Sequence, residues 1–114
     1  MPARCFHWMQ LTMSTVSYAL LSEQQAMIRE SARRVAQEVV APTAAQRDQA
    51  SQWPRAEIEA AAGAGFMGML IPEEYGGSGL SFVEYCLALE EFAAADGGFT
   101  TIMHVHNSCG LVLR

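Results

Sequence analysis

The side chains with the most chemistry gather in the second half of the chain: Glu90 and Glu91, then His104, His106 and Cys109. On a helix, His104 and His106 point about 200° apart and cannot chelate one metal together. His106 and Cys109 do share a face, but two ligands with no carboxylate or third donor at helical spacing make a poor zinc site. The same pair lacks the third group that would orient a nucleophile and its base. An ordinary buried thiol beside a polar imidazole is the better reading, and no metal site is assigned. Glu90 and Glu91 sit side by side on a mostly apolar stretch, where a buried carboxylate could be tuned into a general base. Adjacent helical positions diverge by about 100°, so one glutamate is expected in solvent and the other in an ion pair with an arginine such as Arg33 or Arg34. Gly76, Gly77 and Gly79 precede a helix as phosphate-cradling loops do. They lack the Lys-Ser or Lys-Thr pair of a P-loop and the strand and glycine spacing of a dinucleotide fold, so turn geometry explains them better.

The elements that must position these residues are helical. Ser22 and Gln25 have the spacing of a capping box, and Ile28, Ala32, Val35, Ala36 and Val39 then recur at steps of three and four. Arg29, Glu30, Arg33, Arg34 and Gln37 mostly fall on the other side. Pro42 should stop or kink this helix near Ala41, after which residues 44–50 can resume it. Pro54 suits the first turn of a second helix with Ile58, Ala61 and Ala62 inward, and Gly63 and Gly65 can end it. A short apolar run over residues 66–71 and a loop from Pro72 to Gly79 follow. Ser81 and Glu84 form a second capping box, with Leu80 placed as a hydrophobic staple against Tyr85. Phe82, Tyr85, Cys86, Leu89, Phe92 and Ala93 are assigned to the inner side of that helix, with Val83 and Leu87 widening the arc. Asp96 can cap a last helix beyond a break at Gly97 and Gly98, carried by Phe99, Ile102, Met103, Val105, Leu111, Val112 and Leu113. The spacing predicts helices over 22–41, 54–63, 81–95 and 97–112, an all-α fold without a sheet. No stop signal closes the last helix, so the sequence reads as cut short there.

Composition narrows the function classes. At 114 residues the chain fits one domain, and its hydrophobic fraction of 51% against 17% charged residues leaves apolar surface that wants a partner. Twelve acidic and seven basic residues give a net charge of -5, with no basic stripe to neutralise phosphates, which argues against nucleic acid. Cys5, Cys86 and Cys109 are odd in number and widely spaced, which fits a reducing, intracellular compartment. No apolar run suggests a membrane span. Residues 1–20 make a poor signal peptide and a weak transit peptide, which sets a mitochondrial matrix location behind a cytoplasmic one. They read as a disordered extension, with Met13 an alternative start, ahead of a domain over residues 21–114.

Residues 21–38, residues 65–80 with their Pro72-Glu73-Glu74-Tyr75-Gly76-Gly77-Ser78-Gly79 core, and residues 88–96 followed by His106-Asn107-Ser108 resemble the acyl-CoA dehydrogenase family in order and spacing. The resemblance implies an amino-terminal helical domain that packs, in that family, against a middle β domain and a carboxy-terminal four-helix domain with FAD between them. It implies an acyl-CoA substrate whose α proton goes to a glutamate of the last domain while hydride passes from the β carbon to the flavin. It further implies a homo-oligomer, often a tetramer, and reoxidation by electron-transferring flavoprotein. No residue of this chain matches that glutamate, so no catalytic residue is assigned and the chain alone is expected to be inactive. In the family the last helix of this domain helps wall the acyl pocket. On it Gly98, Thr101, Ile102, Val105 and Cys109 form one stripe at three-and-four spacing, and they are the candidate pocket lining. Two alternatives stand beside this reading: a noncatalytic helical protein that dimerises through its apolar surface, and a flavin monooxygenase or nitroalkane oxidase of the same fold.

Overall fold

The computed structural model describes residues 20–113, and every described element is helical or a turn. The expected extension, with Cys5 and Met13, lies outside the described residues except for Leu20. Helix α1 spans Glu23–Val35. Its capping box closes as the spacing predicts: Gln25 N donates to Ser22 Oγ at 3.2 Å, and Ser22 N donates to Gln25 Oε1 at 3.1 Å. The helix does not stop before Pro42. It widens into a π turn at Ala36–Val40, tightens into a 3-10 turn at Ala41–Thr43 and continues as α2, Ala44–Ala50. A wider and then a tighter turn lets the chain absorb a proline ring and a missing amide without unwinding. Ser51 ends α2 in the left-handed region at φ 50°, and Gln52 N donates back to Arg47 O at 2.9 Å.

Helix α3 covers Arg55–Gly63, entered through the buried Pro54. Ala61 faces the core as expected, while Ala62 is exposed. The apolar run after it buries Phe66, Met67, Met69 and Leu70 in turns. The following loop folds straight back: Ser78 N, Leu80 N and Gly79 N donate to the carbonyls of Gly68, Met69 and Ile71 at 2.9, 2.8 and 2.9 Å. Gly76 has φ 83°, and a Cβ on Gly77 would collide with the Ile71 carbonyl, so these glycines serve the turn.

Helix α4, Phe82–Ala95, starts from the second capping box, in which Ser81 N donates to Glu84 Oε2 at 3.0 Å. Its inner face is Tyr85, Ala88 and Phe92, with Leu87 also buried. Phe82, Cys86, Ala93 and Val83 were expected inside and are exposed, because the buried stripe is rotated toward Ala88 and Glu91. Helix α5, Gly97–Leu113, follows with no break at its two glycines. Asp96 both ends α4 and caps α5, its Oδ1 accepting from Phe99 N at 3.1 Å.

Side-chain bonds fix the directions of the helices. Gln25 Nε2 donates to Glu84 Oε1 at 3.1 Å, and further along both helices Arg29 and Arg33 meet Glu91, so α1 and α4 run parallel. Helix α5 turns back along α4, with Tyr85 near one end of α4 meeting His104 at the middle of α5. Between them lies one core of Ala32, Ala36, Val40, Met69, Ala88, Phe92, Phe99 and Met103, in which the Phe66 and Phe92 rings meet edge to face at 5.2 Å.

Candidate functional site

The outer side of α5 carries an open apolar groove of about 450 Å³, lined by Thr101, Ile102, Val105, His106 and Cys109 and, from the loop between α2 and α3, by Trp53. Four residues of the expected stripe thus lie together. Gly98 lines an adjoining hollow of about 350 Å³ that shares Trp53 and Ile102 with the groove. Cys109 is exposed, not buried, because the inner face of α5 belongs to Phe99, Met103 and Asn107. Trp53 and His106 were not among the sequence candidates. Only the i, i+3 relation of His106 to Cys109 on one helix pointed toward the latter.

His106 lies in the groove, while His104 turns toward α4, its Nδ1 2.7 Å from the Tyr85 hydroxyl and its ring stacked on the tyrosine. Burial pushes the Tyr85 hydroxyl above its usual range. Among the described residues no three metal-ligating side chains converge.

A buried amide bolts α5 to the turn beneath the groove. Asn107 is fully buried; its Oδ1 accepts from Met69 N at 2.8 Å, and its Nδ2 donates to Phe66 O and Met103 O, each at 3.0 Å. Gly110 lets α5 approach the same turn, since a Cβ there would sit 2.6 Å from Ile71 Cδ1.

Two buried charge clusters hold the remaining elements. Glu91 accepts from Arg29 Nε at 2.8 Å and from Arg33 Nη2 at 3.0 Å, while Glu90 faces solvent. One glutamate in solvent and one on Arg33 matches the expectation; the burial of Arg29, read from periodicity as outward, does not. Helical spacing alone could not reveal that Glu91 would draw it inward. In the second cluster Arg47 donates to Glu57 Oε1 at 2.7 Å, to Asp96 Oδ2 at 2.6 Å, to the Val40 carbonyl at 3.1 Å and to the Thr43 hydroxyl. It joins α2, α3 and the α4–α5 corner in one knot. Burial raises the carboxyls of Glu91, Glu57 and Asp96, but the hydrogen bonds and charges of their arginines, with backbone amides and Thr43 helping, hold all three below the ordinary carboxylate range.

This donor set bears on which groups the chain could hold. Arg29, Arg33 and Arg47 are committed to carboxylates, the starts of α4 and α5 are capped by Ser81 and Asp96, and the groove is lined mostly by apolar atoms. The groove offers mostly apolar atoms and few polar ones.

Residues 22–114 match the family of the acyl-CoA dehydrogenase, N-terminal domain. The chain is 38% identical over 92 residues to a 3-sulfinopropanoyl-CoA desulfinase of Paraburkholderia xenovorans, covering 81% of this chain and 24% of that protein. It is 45% identical over 73 residues to a benzylmalonyl-CoA dehydrogenase of Aromatoleum aromaticum, covering 64% and 19%, and 36% identical over 88 residues to the mitochondrial short-chain specific acyl-CoA dehydrogenase of Mus musculus, covering 77% and 21%. Among solved structures, a chain from work on the electron transferring flavoprotein of Acidaminococcus fermentans and flavin-based electron bifurcation superimposes with a TM-score of 0.68 at 42% identity, covering 73% of this chain and 22% of that one. The chain therefore spans about a fifth to a quarter of the length of the curated relatives it matches. With this match over nearly all of its described residues, the chain belongs to the acyl-CoA dehydrogenase family and carries the amino-terminal helical domain of that fold.

Proposed function

We propose that the domain walls the acyl pocket of an FAD-dependent acyl-CoA dehydrogenase, an oxidoreductase of fatty acid metabolism that removes hydrogen from the α and β carbons of an acyl-CoA thioester. The carrying observation is the groove: Thr101, Ile102, Val105 and Cys109 on one face of α5 and Trp53 opposite leave about 450 Å³ of mostly apolar space, a size and character suited to an acyl tail. The names of the relatives support the substrate class, since a desulfinase and two dehydrogenases of different specificity all act on CoA thioesters. What this chain contributes is positioning and exclusion of water; we assign it no proton-abstracting group, and Glu90 and Glu91 serve solvation and an ion pair. When bound, FAD supplies the oxidising chemistry, held mostly by parts of the fold outside these residues. Electron-transferring flavoprotein as acceptor, further copies of the same protein and a cytoplasmic location complete the reading.

The test titrates the purified chain with octanoyl-CoA and with CoA alone, following Trp53 fluorescence in a Trp8→Phe background. The expected result is a response to octanoyl-CoA and none to CoA, from a colourless protein without acyl-CoA-dependent dye reduction. Equal responses to both ligands would contradict the assignment of the groove, and a stoichiometric yellow flavin with butyryl-CoA-dependent dye reduction would contradict the expectation that the chain alone is inactive.

A further inference from the structure

We propose that Trp53 is the selectivity-determining wall of the groove, an aromatic partition that limits the length of the acyl tail admitted. Three hollows adjoin in this part of the molecule: the groove, the hollow of about 350 Å³ around Asp96 and Gly98, and one of about 380 Å³ between Thr43 and Glu59. Trp53 borders all three. Trp53 is 61% exposed, so it serves no core, yet its backbone is held on both sides. Before it, the left-handed Ser51 and the bond from Gln52 N to Arg47 O close α2; after it, the buried Pro54 opens α3, and Arg55 N donates to Trp53 O at 3.0 Å. A non-glycine residue held at positive φ marks backbone that its surroundings determine.

The same Arg47 whose carbonyl closes that turn reaches through its guanidinium to Asp96, the cap of α5. Both sides of the groove are thereby tied to one buried cation, and the gap between the indole and the stripe on α5 is set by the fold. A large rigid ring at the junction of three hollows keeps them apart. A small side chain there would join them into a longer channel. The inference rests on the reading of the groove as the acyl-tail site and adds which residue sets its reach.

The test is a methyl NMR titration of the 114-residue chain, following Ile102 and Val105, with butyryl-, octanoyl- and palmitoyl-CoA below their micellar concentrations. In the wild type, affinity should rise from butyryl- to octanoyl-CoA and level off at palmitoyl-CoA. In Trp53→Ala it should keep rising, with palmitoyl-CoA bound about tenfold more tightly than by the wild type, and Trp53→Phe should fall between. An unchanged palmitoyl-to-octanoyl ratio in Trp53→Ala, with the amide spectrum intact, overturns the role of Trp53 and leaves the groove assignment standing. Silence of both methyl groups toward every acyl-CoA in the wild type overturns the groove assignment and this inference with it.

Discussion

Along α5, Phe99, Met103 and Asn107 expose 1%, 0% and 0% of their surface, whereas Val105, Val112 and Leu113 expose 53%, 81% and 84%. Both sets recur at helical spacing, and both are rich in apolar groups. Only the inner one is locked by a polar side chain with every hydrogen-bonding atom used, namely Asn107 on Met69, Phe66 and Met103. Of the outer set Val105 lines the groove, and Val112 and Leu113 are exposed near the end of the helix. One helix can thus be bolted to its own domain on one side and leave apolar groups exposed on the other. What separates the two is the identity of the opposing surface, not the hydrophobicity of the stripe.

The largest expected effect breaks the inner side. Asn107→Leu keeps an apolar side chain of similar bulk but leaves Met69 N and Phe66 O buried without their partner, which should cost about 3–5 kcal/mol in urea unfolding. A loss below 1 kcal/mol would mean that the turn at Phe66 and Met69 rearranges freely and that α5 is not bolted there.

A smaller effect is expected in the charged seam between α1 and α4. Glu91→Gln removes the charge on which Arg29 and Arg33 meet; because Arg33 keeps a third of its side chain exposed and also pairs with Glu30, the cost is put at about 2–3 kcal/mol, below that of a fully buried pair. The sign of the pH dependence follows from the lowered carboxyls. Glu91, Glu57 and Asp96 have folded pKa values below their unfolded values of 4.5, 4.5 and 3.8, so their stabilisation is complete at neutral pH and is lost as pH falls through the folded values. Stability should be flat at neutral pH and decline on acidification below about 4.5, and Glu91→Gln should flatten that decline. An acid limb of the same slope in the variant would show that Glu91 titrates alike in the folded and unfolded chain.

Much of this comparison was legible in the sequence. Two capping boxes and the apolar periods located the four long helices, since caps and periodicity are local properties of the chain. That Thr101, Ile102, Val105 and Cys109 share one face was legible for the same reason, while Gly98 borders the adjoining hollow. The side that each helix buries was less so: Phe82, Cys86 and Ala93 share the apolar period with Phe92, and only the packing of α1, with Arg29 meeting Glu91, rotates α4 toward Ala88. Arg47 was invisible as a centre because its partners Glu57 and Asp96 lie 10 and 49 residues away. Trp53 was missed because it sits in a loop, where no periodicity marks a wall.

The central claim is that the outer side of α5 is no part of the core, and urea unfolding of the Val105→Ser, Leu113→Ser double variant, followed by circular dichroism, tests it most directly. With both side chains more than half exposed, the variant should unfold within about 0.5 kcal/mol of the wild type and with the same helix content. A loss of about 2 kcal/mol or more, with reduced helix content, would contradict the account and place that side of α5 in the core.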